Sequence, residues 1–330
     1  MISGKPIVGI TMGDAAGIGP EIIAKALAFP EVHHLCNPLV IGDAATIRDA
    51  LKITNTEIKV EEIKRVDDAL FGKGVIEALD LHNIDPRALL RGRVAPMVGK
   101  AAFEYVQRAV DLALAGKIQA IVTAPLNKES LNRAGYHYSG HTEILAELCG
   151  VKEICMMLIV GNLRVAHVSG HLPLSEACRA VTKERILTVI GLALEALKKL
   201  DTPEPRIAVA GLNPHAGEKG LFGREEITEI SPAVEEARAQ GMNVAGPLPP
   251  DTIFYRAKEG EFDLVIAMYH DQGHIPLKLW DFFEGVTITL GLPLIRTSVD
   301  HGTAFDKTGT GTASPRSLIA AIRLATQLGS

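Results

Sequence analysis

Short apolar runs alternate with amphipathic stretches along the chain. Pro6–Met12, Leu39–Ile41, Ala120–Thr123, Ile154–Val160, Leu163–Ser169, Arg206–Ala210, Leu264–Met268 and Val286–Leu290 read as buried strands. Helical patterns fall between them. One runs from Pro20 to Ala28, with a proline in its first turn and Glu21 near its positive end. Others cover Ala44–Leu51, Asn127–Arg133, His141–Cys149, Arg224–Gln240 and Pro315–Leu328. Gly99–Ala115 places Phe103, Val106, Val110 and Ala113 on one face, and Thr182–Leu200 does the same with Ile186, Val189, Ile190, Ala193 and Leu197. Strands alternating with helices predict an α/β fold with mainly parallel sheets covered on both faces. Ligands of such sheets bind outside the carboxyl ends of the strands, so those ends are where chemistry is expected.

Length and composition narrow the function. At about 150 residues per domain, 330 residues make roughly two domains, large enough to fold without disulfides or a structural metal. There is no internal repeat, low-complexity tract or long linker. With 34 basic and 39 acidic residues the net charge is −5, which argues against nucleic acid, and 5% aromatics leave few platforms for stacking bases. No apolar run is long enough to span a membrane, and the N-terminus lacks a secretory pattern, so a cytoplasmic protein is expected. Cys36, Cys149, Cys155 and Cys178 form no C-x-x-C pair and read as buried reduced thiols.

Three histidines stand just past predicted strands: His171 in VSGHLPL, His215 in GLNPHAGE and His270 in MYHDQG. Three neutral imidazoles with open positions would make a catalytic metal site; separately, each is an ordinary loop histidine. His167 lies inside a strand and reads as a core or supporting residue, and His33, His34 and His82 read as surface positions. Gly140-His141-Thr142-Glu143 opens a helix, either as a plain Thr cap or as an anion site. Lys278 and Arg296 are cations in apolar surroundings. Arg296 needs an anion, either an internal carboxylate such as Asp300 or a substrate group. The loop Met12–Pro20 joins a strand to a helix without G-x-G-x-x-G spacing, and a second Gly-rich tract runs from Asp300 to Pro315.

The blocks TMGDAAGIGPE, TAPLNKE, GHTE, GLNPHAGE, PPDT, MYHDQG and ITLGLPLIRTSVDHGTAFD, in order from Thr11 to Asp306, resemble the 4-hydroxythreonine-4-phosphate dehydrogenase family. The first loop and the 300–315 tract are also similar to the wider isocitrate and isopropylmalate dehydrogenases. The resemblance implies a two-domain α/β/α architecture with the active site in the interdomain cleft. It implies a discontinuous NAD-associated domain (1–128 plus 297–330) and a metal, substrate and dimerisation domain (129–296). His171, His215 and His270 match the divalent-metal ligands, zinc foremost, with magnesium, manganese or cobalt as alternatives. His141, Thr142, Lys278 and Arg296 match substrate-binding positions, and Asp251 an acidic residue near the substrate. Gly13, Asp14, His301, Gly302, Thr303, Asp306, Gly309 and Gly311 fall in the segments that wrap NAD in the wider group. The family forms homodimers that share the active site.

Thr287 stands where the family usually has an Asn that contacts substrate, and one hydroxyl cannot replace an amide's donor and acceptor. The segments His270–Leu279 and His301–Asp306 look more like the branch acting on D-threonate or D-erythronate 4-phosphate than the vitamin B6 branch. The resemblance thus implies NAD-dependent oxidation of a secondary alcohol and loss of the adjacent carboxylate, giving dihydroxyacetone phosphate and CO2, with Lys278 and Asp251 handling protons. The alternative is the 4-hydroxythreonine 4-phosphate reaction of pyridoxal phosphate synthesis. A three-histidine metallohydrolase would not need the 300–315 tract, and a non-catalytic sugar-phosphate sensor is suggested only by Thr287.

Overall fold

Apolar side chains on both faces of a strand demand cover on both sides, and β1 (Ile7–Thr11) is buried at every position. The chain continues through α1 (Gly19–Ala26), α2 (Pro30–Leu35), β2 (Asn37–Gly42), α3 (Ala44–Ile53), β3 (Lys59–Ile63) and β4 (Val75–Asp80). Then come α4 (Pro96–Leu114), β5 (Ala120–Thr123), α5 (Lys128–Arg133) and α6 (His141–Cys149). Next are β6 (Cys155–Val160), β7 (Leu163–His167), α7 (Leu174–Arg179), α8 (Lys183–Lys199), β8 (Ile207–Ala210), α9 (Ser231–Ala239) and β9 (Val244–Leu248). The rest is α10 (Pro250–Lys258), β10 (Leu264–Ala267), α11 (His270–Trp280), β11 (Val286–Leu290), β12 (Ile295–Val299) and α12 (Arg316–Leu328). This computed structural model describes residues 4–281 and 283–329.

The chain divides into two units, one of Met1–Lys152 with Leu292–Ser330 and the other of Glu153–Gly291. The first unit orders its strands β3-β4-β2-β1-β5-β12, every pair parallel. Its break falls at 152/153, whereas the sequence reading places it at 128/129. The reason is local. Gly99 brings α4 against α5 so closely that a Cβ there would meet the Ser130 carbonyl at 2.0 Å. The Phe103 ring on α4 stacks on Tyr136 at 4.0 Å, just before α6. Both short helices therefore belong with α4.

The second unit orders its strands β11-β6-β7-β10-β8-β9. β7, β10, β8 and β9 are parallel neighbours, while β6 runs antiparallel to both β7 and β11. The reversal comes from Gly161-Asn162, a two-residue connection closing the Val160–Leu163 pair with Gly161 at φ 57°. The apolar stripe of α8 is buried at all five positions named from the sequence. The Arg224–Gln240 helix instead opens with a π turn, Glu226–Ile230, before α9.

All four cysteines are unpaired; Cys36 and Cys155 are buried, but Cys149 and Cys178 are only half-buried. Burial pushes the Cys36 and Cys155 thiols up to about 11. No helix among the described residues is long and apolar enough to cross a membrane.

Candidate active site

In the second unit the three histidines follow the carboxyl ends of adjacent strands. His171 lies in the loop after β7, His270 opens α11 after β10, and His215 sits in the turn after β8. The His171 and His270 rings lie 5.2 Å apart. His270 Nδ1 is 2.7 Å from Asp271 Oδ1. That bond assigns the proton to Nδ1 and leaves Nε2 as a lone-pair donor, the usual arrangement for a metal-binding imidazole. His270 in turn holds the Asp271 carboxyl below its ordinary range.

His215 is held differently. Residues 215–219 all have left-handed backbone, from φ 44° to φ 78°. Non-glycine residues enter that region at a cost of roughly 1–2 kcal/mol each, so the turn needs outside support. Glu226, buried on the π turn, supplies it: its carboxylate accepts the Asn213 amide N–H at 2.7 Å and Asn213 Nδ2 at 2.9 Å.

Among the described residues, the one trio whose ligand atoms all lie within 4.8 Å of one another is Glu62, Asp80 and His82, not the three predicted histidines. Arg48 already pairs with Glu62 there at 2.5 Å. His171 and His270 are thus brought side by side, while His215 is not drawn into the same tight cluster. The imidazole pair and the tautomer fixed by Asp271 fit a divalent metal, to which His171, His215 and His270 are the candidate ligands.

His167 and His274 pack behind this pair. His274 stacks on His270 with ring centres 3.6 Å apart and lies 4.8 Å from His167. Gly273 makes room for His167, since a Cβ there would lie 2.3 Å from its Nε2. Burial above all, and then the neighbouring His274, pulls His167 down to about 3, so it is neutral.

Lys278 lies two turns along α11 from His270, about 12 Å by helical rise. Asp251 is exposed in the first turn of α10, which packs on the His215 turn. Thr287 is buried within β11, opposite Leu158 on β6.

The first unit gathers the remaining predicted positions. Arg296, on β12, is buried, and its Nη2 donates to Thr123 Oγ1 on β5 at 2.6 Å. Burial lowers Arg296 to about 9, Glu143 opposing, so it remains a cation at neutral pH. His141 opens α6 with its Nε2 buried and without a hydrogen-bond partner among the described residues. Burial first, then the Arg296 charge, pushes His141 well below its usual range, leaving a neutral imidazole. A buried cation, an unsatisfied imidazole nitrogen and the open amides of a helix start, where Thr142 lies, suit an anionic group.

The predicted cofactor segments lie together on the first unit. Ile18 N–H bonds the Thr303 carbonyl at 3.0 Å, joining the first loop to the Gly-rich tract. Glu21 accepts the amides of Gly309 at 2.6 Å and Gly311 at 2.9 Å, and Lys25 holds the Gly311 and Ala313 carbonyls. Those two amides are therefore spent on α1 and do not cradle a phosphate. Asp14 is fully buried beneath Gly13, and Thr303 is buried as well. Gly302 and Asp306 are exposed and His301 is half-buried, an arrangement that could take a dinucleotide along this tract.

Burial raises the Asp14 carboxyl to about 6, against the Ala16 amide at 2.8 Å and the Ser130 hydroxyl. The unfolded chain gives up this proton near 3.8, before the folded chain does. Stability therefore falls as pH rises from there through about 6. Asp14→Asn keeps an oxygen for Ala16 and should exceed the parent in stability at pH 8, by up to about 3 kcal/mol. The gain should shrink to nothing near pH 4. Thermal midpoints across that range check this, and a pH-independent difference would sink it.

The fold and site define a two-unit α/β protein with a candidate metal and anion site, and similarity to known proteins gives its class. A model of the pyridoxal phosphate biosynthetic protein PdxA matches residues 34–325. A protein of Oceanobacillus iheyensis named "Putative D-threonate 4-phosphate dehydrogenase" is 50% identical, covering 99% of each chain. The crystal structure of 4-hydroxythreonine-4-phosphate dehydrogenase from Klebsiella pneumoniae is 46% identical with a TM-score of 0.88, covering 98% of this chain and 100% of that one. A phosphotransacetylase from Staphylococcus aureus, 12% identical with a TM-score of 0.57, covers 100% of this chain and 96% of its own, and shares the fold. The chain belongs to the PdxA family and is an NAD-dependent dehydrogenase.

The sequence reading missed Asp271, Glu226 and Gln272. Asp271 and Gln272 stand inside the quoted MYHDQG block, directly after a strand end, which is the signal that points to them.

Proposed function

We propose that the enzyme converts D-threonate 4-phosphate or D-erythronate 4-phosphate, with NAD, to dihydroxyacetone phosphate, CO2 and NADH. The observation that carries this reading is the name shared by curated relatives about half identical over nearly the whole chain. The HIPLKL segment of α11 and Thr287 in place of Asn agree with it. Solved relatives from Burkholderia phymatum and Klebsiella pneumoniae carry the other substrate in their titles, so 4-hydroxythreonine 4-phosphate is the second reading.

The residues divide the work. Arg296, His141 and the α6 N-terminus grip an anionic end of the substrate. A divalent ion, zinc foremost, on His171, His215 and His270 would supply Lewis-acid polarisation of the carbon–oxygen bond being oxidised. His301, Gly302 and Asp306 would hold NAD, which when bound would supply the hydride acceptor. Lys278 and Asp251 move the protons, one leaving the alcohol and one returning to the carbon that loses CO2. We further propose a homodimer in which a second copy covers the apolar side chains that the second unit exposes, among them Leu172, Leu174, Ile275 and Leu279. Four unpaired cysteines agree with a reducing cytoplasm.

The deciding experiment measures NADH formation with a divalent metal and each of the three phosphorylated acids. A kcat/KM at least tenfold higher for a sugar-acid phosphate is expected. Preference for 4-hydroxy-L-threonine 4-phosphate would move the enzyme to vitamin B6 synthesis, and turnover of none would remove the substrate assignment.

A further inference from the structure

β10 and β8 part company at their carboxyl ends, and a side chain replaces the ladder between them there. β10 pairs with β8 only as far as Ile266–Val209. Two residues farther along each strand, Gln272 Oε1 accepts the Met268 amide at 2.6 Å while its Nε2 donates to the Gly211 carbonyl at 2.8 Å. On the other side of Met268, Ser169 Oγ donates to its carbonyl at 2.9 Å. One row thus ties the ends of β7, β10 and β8. Ser169 precedes His171 by two residues, Met268 precedes His270 by two, and Gly211 precedes His215 by four.

We propose that Gln272 is a positioning residue that sets the spacing between the His270 and His215 segments. The inference rests on the proposed reading that these histidines hold a metal. A side-chain amide supplies a donor and an acceptor side by side in one plane. Gln272 spends one on each strand end, so the two segments cannot move apart independently. Groups that orient metal-binding histidines commonly govern affinity by about 10–100-fold.

The test uses the whole protein stripped of metal, titrated with Co(II) against a chromophoric chelator, with the Co(II) visible band recorded. Gln272→Met keeps the length and removes both bonds. Gln272→Glu keeps the acceptor for Met268 but sets a carboxylate against the Gly211 carbonyl. Both should bind Co(II) about 10–100-fold more weakly with an altered band, while the metal-free Gln272→Glu protein melts within a few degrees of the parent. Parental affinity and band in both variants would overturn the proposal, as would an affinity loss matched by a collapse in melting temperature. Failure of the parent protein to bind Co(II) would overturn the metal reading itself.

Discussion

Arg296→Met is expected to raise KM for the phosphorylated substrate about 100-fold, with kcat changed far less. Arg296 is buried against Thr123, with Glu143 as its nearby carboxylate. Burial already works against its charge, as its lowered pKa records. On the proposed reading, the buried guanidinium beside the unsatisfied Nε2 of His141 would meet an anion that arrives with substrate. Losing a charged hydrogen bond to that anion costs about 1.5–3 kcal/mol, and about 2.7 kcal/mol is a hundredfold. The loss falls on substrate and transition state alike, so it belongs in KM. Methionine fills much of the same volume, but it removes one partner from Glu143 and Thr123, and loss of one member of a buried charged pair is destabilising. A fall in melting temperature is therefore expected alongside the rise in KM. Steady-state kinetics and thermal melting decide the matter: an unchanged KM with a large drop in stability would make Arg296 a purely structural cation.

Ile275→Asp with Leu279→Asp is expected to turn a dimer into a monomer and to lower activity at least about 100-fold. The two residues are four apart on α11, hence on one face. Leu279 is 82% exposed and Ile275 58%, on the helix that begins with His270 and carries Lys278. Two carboxylates on each copy would be desolvated and set near their own kind in a two-fold interface. Sedimentation velocity of parent and variant checks the assembly, and NADH formation checks the function. A monomeric parent protein would end the dimer reading; a monomeric but fully active variant would show that a second copy contributes nothing to the site.

What the sequence made legible follows from how strongly each element is patterned. Fully apolar strands and the stripes of α4 and α8 stand out because burial leaves them no alternative. The placement of His171, His215 and His270 followed from the strand ends alone. β3 escaped because its sequence, KVEEI, is mostly polar and largely exposed. α11 escaped because Gly273 and Pro276 read as breakers, although tertiary packing carries the helix through both. The antiparallel turn at Gly161-Asn162 was a recognisable hairpin signal hidden among parallel strands. The left-handed turn at His215 had no local signal, since its support comes from Glu226, eleven residues away. Likewise, nothing in the composition of the Gly-rich tract shows that Glu21 and Lys25 consume its polar groups.

The return of the chain to its first unit has a consequence for synthesis. β12 and α12 belong with β1–β5, yet they leave the ribosome only after the whole second unit has emerged. Until then the edge of β5 lacks its strand neighbour, and such an edge invites pairing with other chains. The second unit has no such wait, because its strands are contiguous in the chain. Arg296 and the Gly-rich tract arrive in that same last stretch. A nascent chain stopped before them would hold every candidate metal ligand and lack both the buried cation and the surface proposed for NAD. On the proposed reading, substrate and cofactor binding would become possible only after this last stretch has been made.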